Sequence, residues 1–205
     1  MRVYVESNFV LECALLQEQR LACESLIAHA EAGEISLVFP AFSVAEPYHT
    51  LRRRSQDREV LSRDLDAELR QLGRSEGFAA EAATHRDLTA FLVRSGEKES
   101  NGLRDTLRRF ASTTEFIPLD KTVLERAWQV EDDHGLTPTD AIVFASIVND
   151  LERTTPAEAL FLSRDAKDFN DPDILELLAA RRCRLMFSFV DGLACLEARL
   201  RRGGS

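Results

Sequence analysis

The sequence predicts an α/β protein with a central, mostly parallel sheet of about five strands, covered by helices on both faces. At both ends of the chain, short apolar runs alternate with longer segments of helical periodicity, which is the pattern of a parallel sheet with crossover helices. Residues 56–111 are charged and helix-forming, and they predict an enlarged helical insertion. A length of 205 residues with 44% hydrophobic residues fits a single domain over residues 1–205.

The elements before the insertion follow from apolar runs and their boundaries. An apolar run that ends in Glu6 and two small polar residues predicts a buried strand leading directly into a helix. Gly33 and Pro40 are suitable ends for a helix and for a strand. The predicted elements are strands at 3–5 and 35–39 and helices at 9–19, at 21–32 and from residue 43 onwards.

Helices dominate the insertion, and the alternation of strand and helix returns after it. Within the insertion, Ser95–Gly102 is expected to be a loop because it has the strongest turn composition of the chain. The helices predicted around it cover 60–72, 78–93 and 103–110. The elements predicted after residue 114 are strands at 115–118, 159–162 and 184–187 and helices at 121–134, 140–151 and 190–200.

Composition argues against several classes of protein. No apolar run approaches the ~18 residues that a membrane helix needs. An acid among the first residues argues against a signal peptide, so a cytoplasmic protein is expected. With 35 acidic against 26 basic residues, any polyanionic substrate must be met by bound cations or local arginine clusters.

Cysteines and histidines show no spacing typical of a metal site. The four cysteines have no C-x-x-C pair and are expected to be buried free thiols. The histidines are likewise expected to have no partners at ligand spacing. They are His29, His49, His85 and His134.

Four acids lie at junctions between predicted elements. Glu6 ends the first strand, Glu46 and Asp140 lie in the first turns of helices, and Asp165 follows a strand by three residues. In a parallel sheet these junctions share one edge, so the carboxylates are expected to converge. Clustered carboxylates raise one another's pKa unless a cation neutralises them, and oxygen ligands suit Mg²⁺ or Mn²⁺. Such a site favours phosphodiester hydrolysis.

The same acids also have structural interpretations. Glu46 fits a capping box that begins at Ser43, and Asp140 fits a similar helix start with Thr137 as N-cap. The acid after the fourth strand fits a simple turn. Glu6 alone has no evident structural role, since acids are rarely buried without a partner.

Four segments together resemble one known family. They are Tyr4-Val-Glu6-Ser-Asn8-Phe-Val-Leu, Phe42-Ser-Val-Ala-Glu46, Leu136-Thr-Pro-Thr-Asp140-Ala-Ile-Val-Phe-Ala145 and Leu160-Phe-Leu-Ser-Arg-Asp165-Ala-Lys-Asp168-Phe169. Their order and residue types resemble those of the PIN-domain ribonucleases, which include the toxins of VapBC-type toxin–antitoxin pairs. The third and fourth segments are the most specific.

The resemblance implies a three-layer α/β/α fold and endonucleolytic cleavage of single-stranded RNA. The Mg²⁺ or Mn²⁺ ligands that it implies are Glu6, Glu46, Asp140 and Asp165, with Asp168 as a further candidate. Ser7 and Asn8 are expected to support the pocket through hydrogen bonds. Candidate contacts to RNA phosphates are Arg52, Arg53 and Arg164.

One departure from the family leaves two functions open. The family usually has Asp where this chain has Glu6, and the added methylene displaces the carboxylate by about a bond length in a site that tolerates ~0.5 Å. The chain is therefore either a working nuclease or a degenerate PIN-like domain that binds RNA or protein without cleavage. RNA is the expected partner, a toxin role would add an antitoxin protein, and a homodimer is the default assembly.

Overall fold

An all-parallel, five-stranded sheet forms the centre of the protein in the computed structural model, which describes residues 1–203. The strands are β1 (Arg2–Val5), β2 (Ser36–Pro40), β3 (Glu115–Ile117), β4 (Ala159–Leu162) and β5 (Cys183–Met186). Their order across the sheet is β3-β2-β1-β4-β5. The central strand β1 pairs with β2 on one side and with β4 on the other, so that Val3 lies opposite Leu37 and Leu160. The predicted α/β class and strand number are confirmed.

Helices connect the strands in the predicted alternation. They are α1 (Ser7–Ala14), α2 (Arg20–Glu31), α3 (Ala45–Leu72), α4 (Ala79–Thr84), α5 (Asp87–Thr113), α6 (Lys121–His134), α7 (Pro138–Thr154), α8 (Ala166–Phe169), α9 (Pro172–Ala180) and α10 (Phe189–Gly203). The short helices α8 and α9 were not predicted. Pro172 at the first position of α9, preceded by the N-cap Asp171, is the sequence signal that marks this helix start.

Two hydrophobic cores give the protein three layers. Val3 and Val5 point to one face of the sheet and Tyr4 points to the other, as expected for a strand covered on both sides. The first core contains side chains from α1, α2, α5 and α10, namely Phe9, Leu26, Phe110 and Leu196. The second contains side chains from α6, α7 and α9, namely Val123, Phe144 and Ile174. The predicted α/β/α arrangement is confirmed.

The predicted helical insertion consists of the outer part of α3, α4 and α5, and the loop expected at Ser95–Gly102 is wrong. That segment lies in the middle of α5. The hydroxyl of Ser95 donates to the carbonyl of Leu92 at 2.8 Å, and the hydroxyl of Ser100 donates to that of Gly96 at 2.9 Å, so both serines are satisfied inside the helix. Packing along α3 and α1 therefore overrides the local turn composition.

Gly102 lies where α5 passes closest to α1. A Cβ at this position would meet the carbonyl oxygen of Ala14 at 2.6 Å, whereas a Cβ on Gly96 in the same helix would meet the Ser55 hydroxyl at 3.4 Å. Gly102→Ala is expected to destabilise the protein by about 1–3 kcal/mol through overpacking. Gly96→Ala, the matched control, should be neutral or stabilise by up to ~1 kcal/mol through helix propensity. Urea unfolding of both variants checks this, and equal effects would contradict it.

Two further predictions concern the thiols and the membrane. All four cysteines are free, and Cys13, Cys23 and Cys183 are buried, as predicted, whereas Cys195 is only half-buried. Burial raises the pKa of the Cys183 thiol to about 12, which keeps this thiol protonated. Within residues 1–203, none of the helices combines the length and the apolar character that crossing a membrane requires.

Candidate functional site

The candidate site lies at the carboxyl ends of β1 and β4, where the strand order changes direction. Strands β1 and β4 are adjacent in the sheet, and Val5 pairs with Leu162 at their ends. The residues that follow, Glu6 and Ser163, are therefore neighbours. In open α/β sheets this switch point is the usual position of a ligand-binding crevice.

Glu6 is buried and accepts hydrogen bonds at both of its oxygens. Its side chain is the N-cap of α1 and accepts from the backbone N–H of Asn8 at 3.1 Å. The same oxygen accepts from the Ser7 hydroxyl at 2.8 Å. The other oxygen accepts from the Asn8 amide at 2.6 Å and from the Ser163 hydroxyl at 3.0 Å. Glu6 thus has the structural role that the sequence did not suggest.

Burial and hydrogen bonding act on Glu6 in opposite directions. Burial raises its pKa, and the hydrogen bonds from Asn8, Ser7 and Ser163 favour the charged form and lower it. Two oxygens offer about four lone-pair positions, and four donors fill them. A direct bond from Glu6 to a metal would therefore replace an existing hydrogen bond.

Ser163 links Glu6 to the start of α8. While its hydroxyl donates to Glu6, its oxygen accepts from the backbone N–H of Asp165 at 2.9 Å. Asp165 in turn is the N-cap of α8 and accepts from the backbone N–H of Asp168 at 3.2 Å. Ser163 was not predicted as a site residue, although its position directly after β4 is a signal for one.

Asp140 lies in the first turn of α7, near two other predicted acids. Thr137 is the N-cap of α7, as expected, and its hydroxyl also donates to the Asp140 carboxylate. Burial raises the pKa of Asp140, the hydrogen bond from Thr137 lowers it, and the negative charges of Asp165 and Glu46 raise it further. Asp165 and Glu46 therefore each lie close enough to Asp140 for their charges to act on it.

Asp168 joins the same group of acids. Partial burial raises its pKa, as do the charge and the hydrogen bond of Asp165 and the charge of Asp140, against a smaller opposing effect of Lys167. Nothing in residues 1–203 forms an ion pair with any of the four acids Glu46, Asp140, Asp165 and Asp168. An all-oxygen group with excess negative charge and no paired cation fits a hard divalent ion such as Mg²⁺ or Mn²⁺.

Glu46 approaches this group from α3, but not through the capping box that Ser43 was expected to form. A 3-10 helical turn at Ala41–Val44 precedes α3, and Val44 rather than Ser43 is the N-cap. The buried Ser43 hydroxyl has no hydrogen-bond partner within residues 1–203. Glu46 itself is exposed, so its carboxylate is free to take a ligand.

Comparison with protein-family models identifies the fold. The model described as PIN domain matches residues 3–169, which include all five acids described above. The chain belongs to the PIN-domain family. No curated protein matches the chain. No solved structure matches it either.

The PIN domain is a nuclease-type fold, and its members typically use divalent metals. The acids of this PIN domain have the chemistry that such a metal requires. The charges of Asp165 and Glu46 act on Asp140, and those of Asp165 and Asp140 act on Asp168. Hydrogen bonds connect Glu6 to Asp165 through Ser163.

The three predicted phosphate-binding arginines have different surroundings. Arg164 pairs with the buried carboxylate of Glu12, and also approaches Glu18 at 3.6 Å. Its guanidinium therefore links α1 to the segment after β4. Arg52 and Arg53 are exposed on α3 and make no ion pair within residues 1–203, so their charges are available to a polyanion.

The expectation that no histidine has a partner at ligand spacing is wrong for His134. One ligand atom from each of His134, Asp171 and Asp173 lies within 4.8 Å of the other two. The 37-residue separation between His134 and Asp171 hid this group from sequence reasoning, because their proximity depends on how α6 and α9 are placed by the fold.

Proposed function

We propose that this PIN domain is a metal-dependent endoribonuclease that acts on single-stranded RNA. The observation that supports the proposal is that the charges of Asp165 and Glu46 act on Asp140, and that none of these three carboxylates has a paired cation within residues 1–203. Asp165 follows β4 at the switch point of the sheet, and a group of negative charges there suits a polyanionic substrate only when a cation is present.

In the proposed site, Glu46, Asp140 and Asp165 hold Mg²⁺ or Mn²⁺, with Asp168 beside them. When bound, the cation supplies Lewis-acid stabilisation of the charge that develops on the phosphate and activation of the attacking water. Water adds to phosphorus and a P–O bond breaks, which leaves one phosphorylated end and one hydroxyl end. Arg52 and Arg53 are proposed to bind phosphates on either side of the cut.

Glu6 has a distinct part in this proposal. The sequence predicts that Glu6 is a metal ligand, and this stays a prediction. Its four hydrogen bonds support a positioning role, since Glu6 holds Ser163 and Ser163 holds the backbone of Asp165. Ser7 and Asn8 act on the site through the same carboxylate.

Metal dependence is the direct test of the proposal. Purified protein should cleave a labelled single-stranded RNA in Mg²⁺ or Mn²⁺ and stop when EDTA is added, because the carboxylates alone repel the substrate. Readdition of either ion should restore cleavage. Cleavage that persists in excess EDTA would contradict the proposal.

A second function, binding RNA or protein without cleavage, is favoured by the saturated hydrogen bonding of Glu6. The two functions differ in their response to Glu6→Asp. If the native protein is inactive and Glu6→Asp creates metal-dependent cleavage, the native protein is a binding domain. If the native protein cleaves RNA, the second function is excluded.

The toxin role is a finer part of the proposal and follows from the family resemblance. A toxin of this kind pairs with an antitoxin protein encoded beside it. Co-purification of the product of a small adjacent gene, together with loss of RNA cleavage in the complex, would support this role. The predicted homodimer is tested in the same preparation by its sedimentation.

A further inference from the structure

A group of three side chains of the metal-ligand type contains none of the acids of the proposed nuclease site. His134 is the last residue of α6, Asp171 is the N-cap of α9, and Asp173 lies in the first turn of α9. One ligand atom of each lies within 4.8 Å of the other two. A zinc ion binds nitrogen and oxygen ligands at about 2.0–2.2 Å, which separates its ligand atoms by roughly 3–4 Å. A small side-chain adjustment therefore brings all three atoms onto one ion.

The surrounding structure holds two of the three side chains, those of Asp171 and His134. One oxygen of Asp171 accepts from the backbone N–H groups of Asp173 at 2.9 Å and Ile174 at 3.3 Å, which leaves its second oxygen for another partner. The ring of His134 packs edge-on against Phe144, with the ring centroids 6.4 Å apart. Gly135, in the left-handed conformation at φ 65°, ends α6 directly after the histidine.

These three side chains do not satisfy one another. Within residues 1–203, no hydrogen bond or ion pair joins His134 to either aspartate, and no Lys or Arg pairs with Asp171 or Asp173. The ligand atoms are thus too far apart for hydrogen bonds and close enough to share a cation. This distinguishes the group from an ordinary surface histidine–carboxylate pair.

We propose that His134, Asp171 and Asp173 bind a divalent transition-metal ion. One imidazole nitrogen with two carboxylate oxygens favours Zn²⁺ and its neighbours over Mg²⁺, which prefers oxygen ligands alone. The ion neutralises the two aspartates and joins the end of α6 to the start of α9. In the chain, the segment that carries Asp140 follows α6 and the segment that carries Asp168 precedes α9. The ion therefore restrains the positions of both segments.

Zinc binding in the presence of excess Mg²⁺ tests this inference, because Mg²⁺ occupies oxygen-only sites and leaves the histidine site to Zn²⁺. The folded chain is titrated against a chromophoric zinc indicator. Wild-type protein should retain one tight equivalent of Zn²⁺, and both His134→Gln and Asp173→Asn should bind it at least ~10-fold more weakly. His85→Gln, which removes an exposed histidine elsewhere, should bind as the wild type does.

Thermal unfolding gives a second readout that does not depend on nuclease activity. Zn²⁺ at ~100 times its wild-type Kd should raise the Tm of the wild type and of His85→Gln by ~5–10 °C, and that of His134→Gln by no more than about half as much. Zinc binding that is equally tight in His134→Gln and in the wild type would overturn the proposal, as would the absence of a tight equivalent in the wild type. Asp173→Asn keeps the test valid if His134→Gln is poorly folded.

Discussion

Replacing Asp140 with asparagine is expected to reduce metal-dependent RNA cleavage by at least ~100-fold, because the proposed cation loses a carboxylate ligand. The fold should be retained. Asparagine keeps the backbone N–H that donates to Thr137 at 3.3 Å and an oxygen that accepts from the Thr137 hydroxyl. Single-turnover cleavage of a labelled RNA, measured over a range of Mn²⁺ concentrations, checks the effect.

Asp140→Asn should keep the stability of the wild type, or slightly exceed it, although its activity falls. Burial and the charges of Asp165 and Glu46 raise the pKa of Asp140 in the folded state. A carboxyl with a raised pKa favours folding below its unfolded pKa and loses that contribution as the pH rises through the folded pKa. At neutral pH, removing this charge should therefore leave the Tm unchanged or slightly higher.

A matched control distinguishes the loss of a carboxylate at the site from the loss of one negative charge elsewhere on the surface. Asp132→Asn removes an exposed acid from α6 and the same single charge. This variant should cleave RNA at the wild-type rate. Wild-type cleavage by Asp140→Asn, or an equal loss in both variants, would contradict the assignment of Asp140 to the metal.

The predicted sheet and its helices followed from local features that packing reinforced. The apolar runs around Val3 and Leu160 have the composition of strands buried on both faces, and they pair in the sheet at matching positions. Lys121–His134 was predicted with its observed bounds because Gly135 provides a clear C-terminal signal. In these segments the local preference and the tertiary environment agree.

The continuous course of α5 could not be read from its own sequence. Its central residues favour a turn, but the helix is held by contacts with distant residues. The guanidinium of Arg58 on α3 forms two hydrogen bonds with Glu99, at 2.7 Å and 2.8 Å. Gly102 permits a close approach to α1 that any side chain would obstruct. Such contacts appear only when the helices are assembled.

The sequence suggested which residue types form the candidate site and at which edge of the sheet to expect them. It did not suggest the hydrogen bonds that join these residues. Order along the chain was sufficient to predict that Asp140 and Asp165 share one edge of the sheet. The hydrogen bond between Ser163 and Glu6 joins residues 157 positions apart, and it depends on β1 and β4 being neighbours. The four hydrogen bonds that occupy the Glu6 carboxylate bear on whether it binds metal, and they could be found only from the structure.

The second large effect is expected far from the site, at Asp150 on α7. Its side chain is fully buried, and one of its oxygens accepts from the Tyr4 hydroxyl at 2.8 Å and from Arg2 at 2.9 Å. The other oxygen accepts from Arg153. Burial, followed by the hydrogen bond and charge of Asp150, raises the pKa of the Tyr4 phenol. The carboxylate thus satisfies a partly buried cation and a buried hydroxyl at the start of β1.

Asp150→Ala is expected to destabilise the protein by about 3–5 kcal/mol, because it removes the acceptor of the buried Tyr4 hydroxyl and leaves the partly buried Arg2 guanidinium with only its exposed partner Glu115. Glu152 on the same helix is a close control: it also pairs with two arginines, Arg126 at 2.6 Å and Arg181 at 3.0 Å, but its side chain is 38% exposed. Water and salt screen such a pair, so Glu152→Ala should cost only about 0–1 kcal/mol. Urea unfolding of both variants measures the difference. Equal losses would mean that burial does not govern the strength of these charge networks.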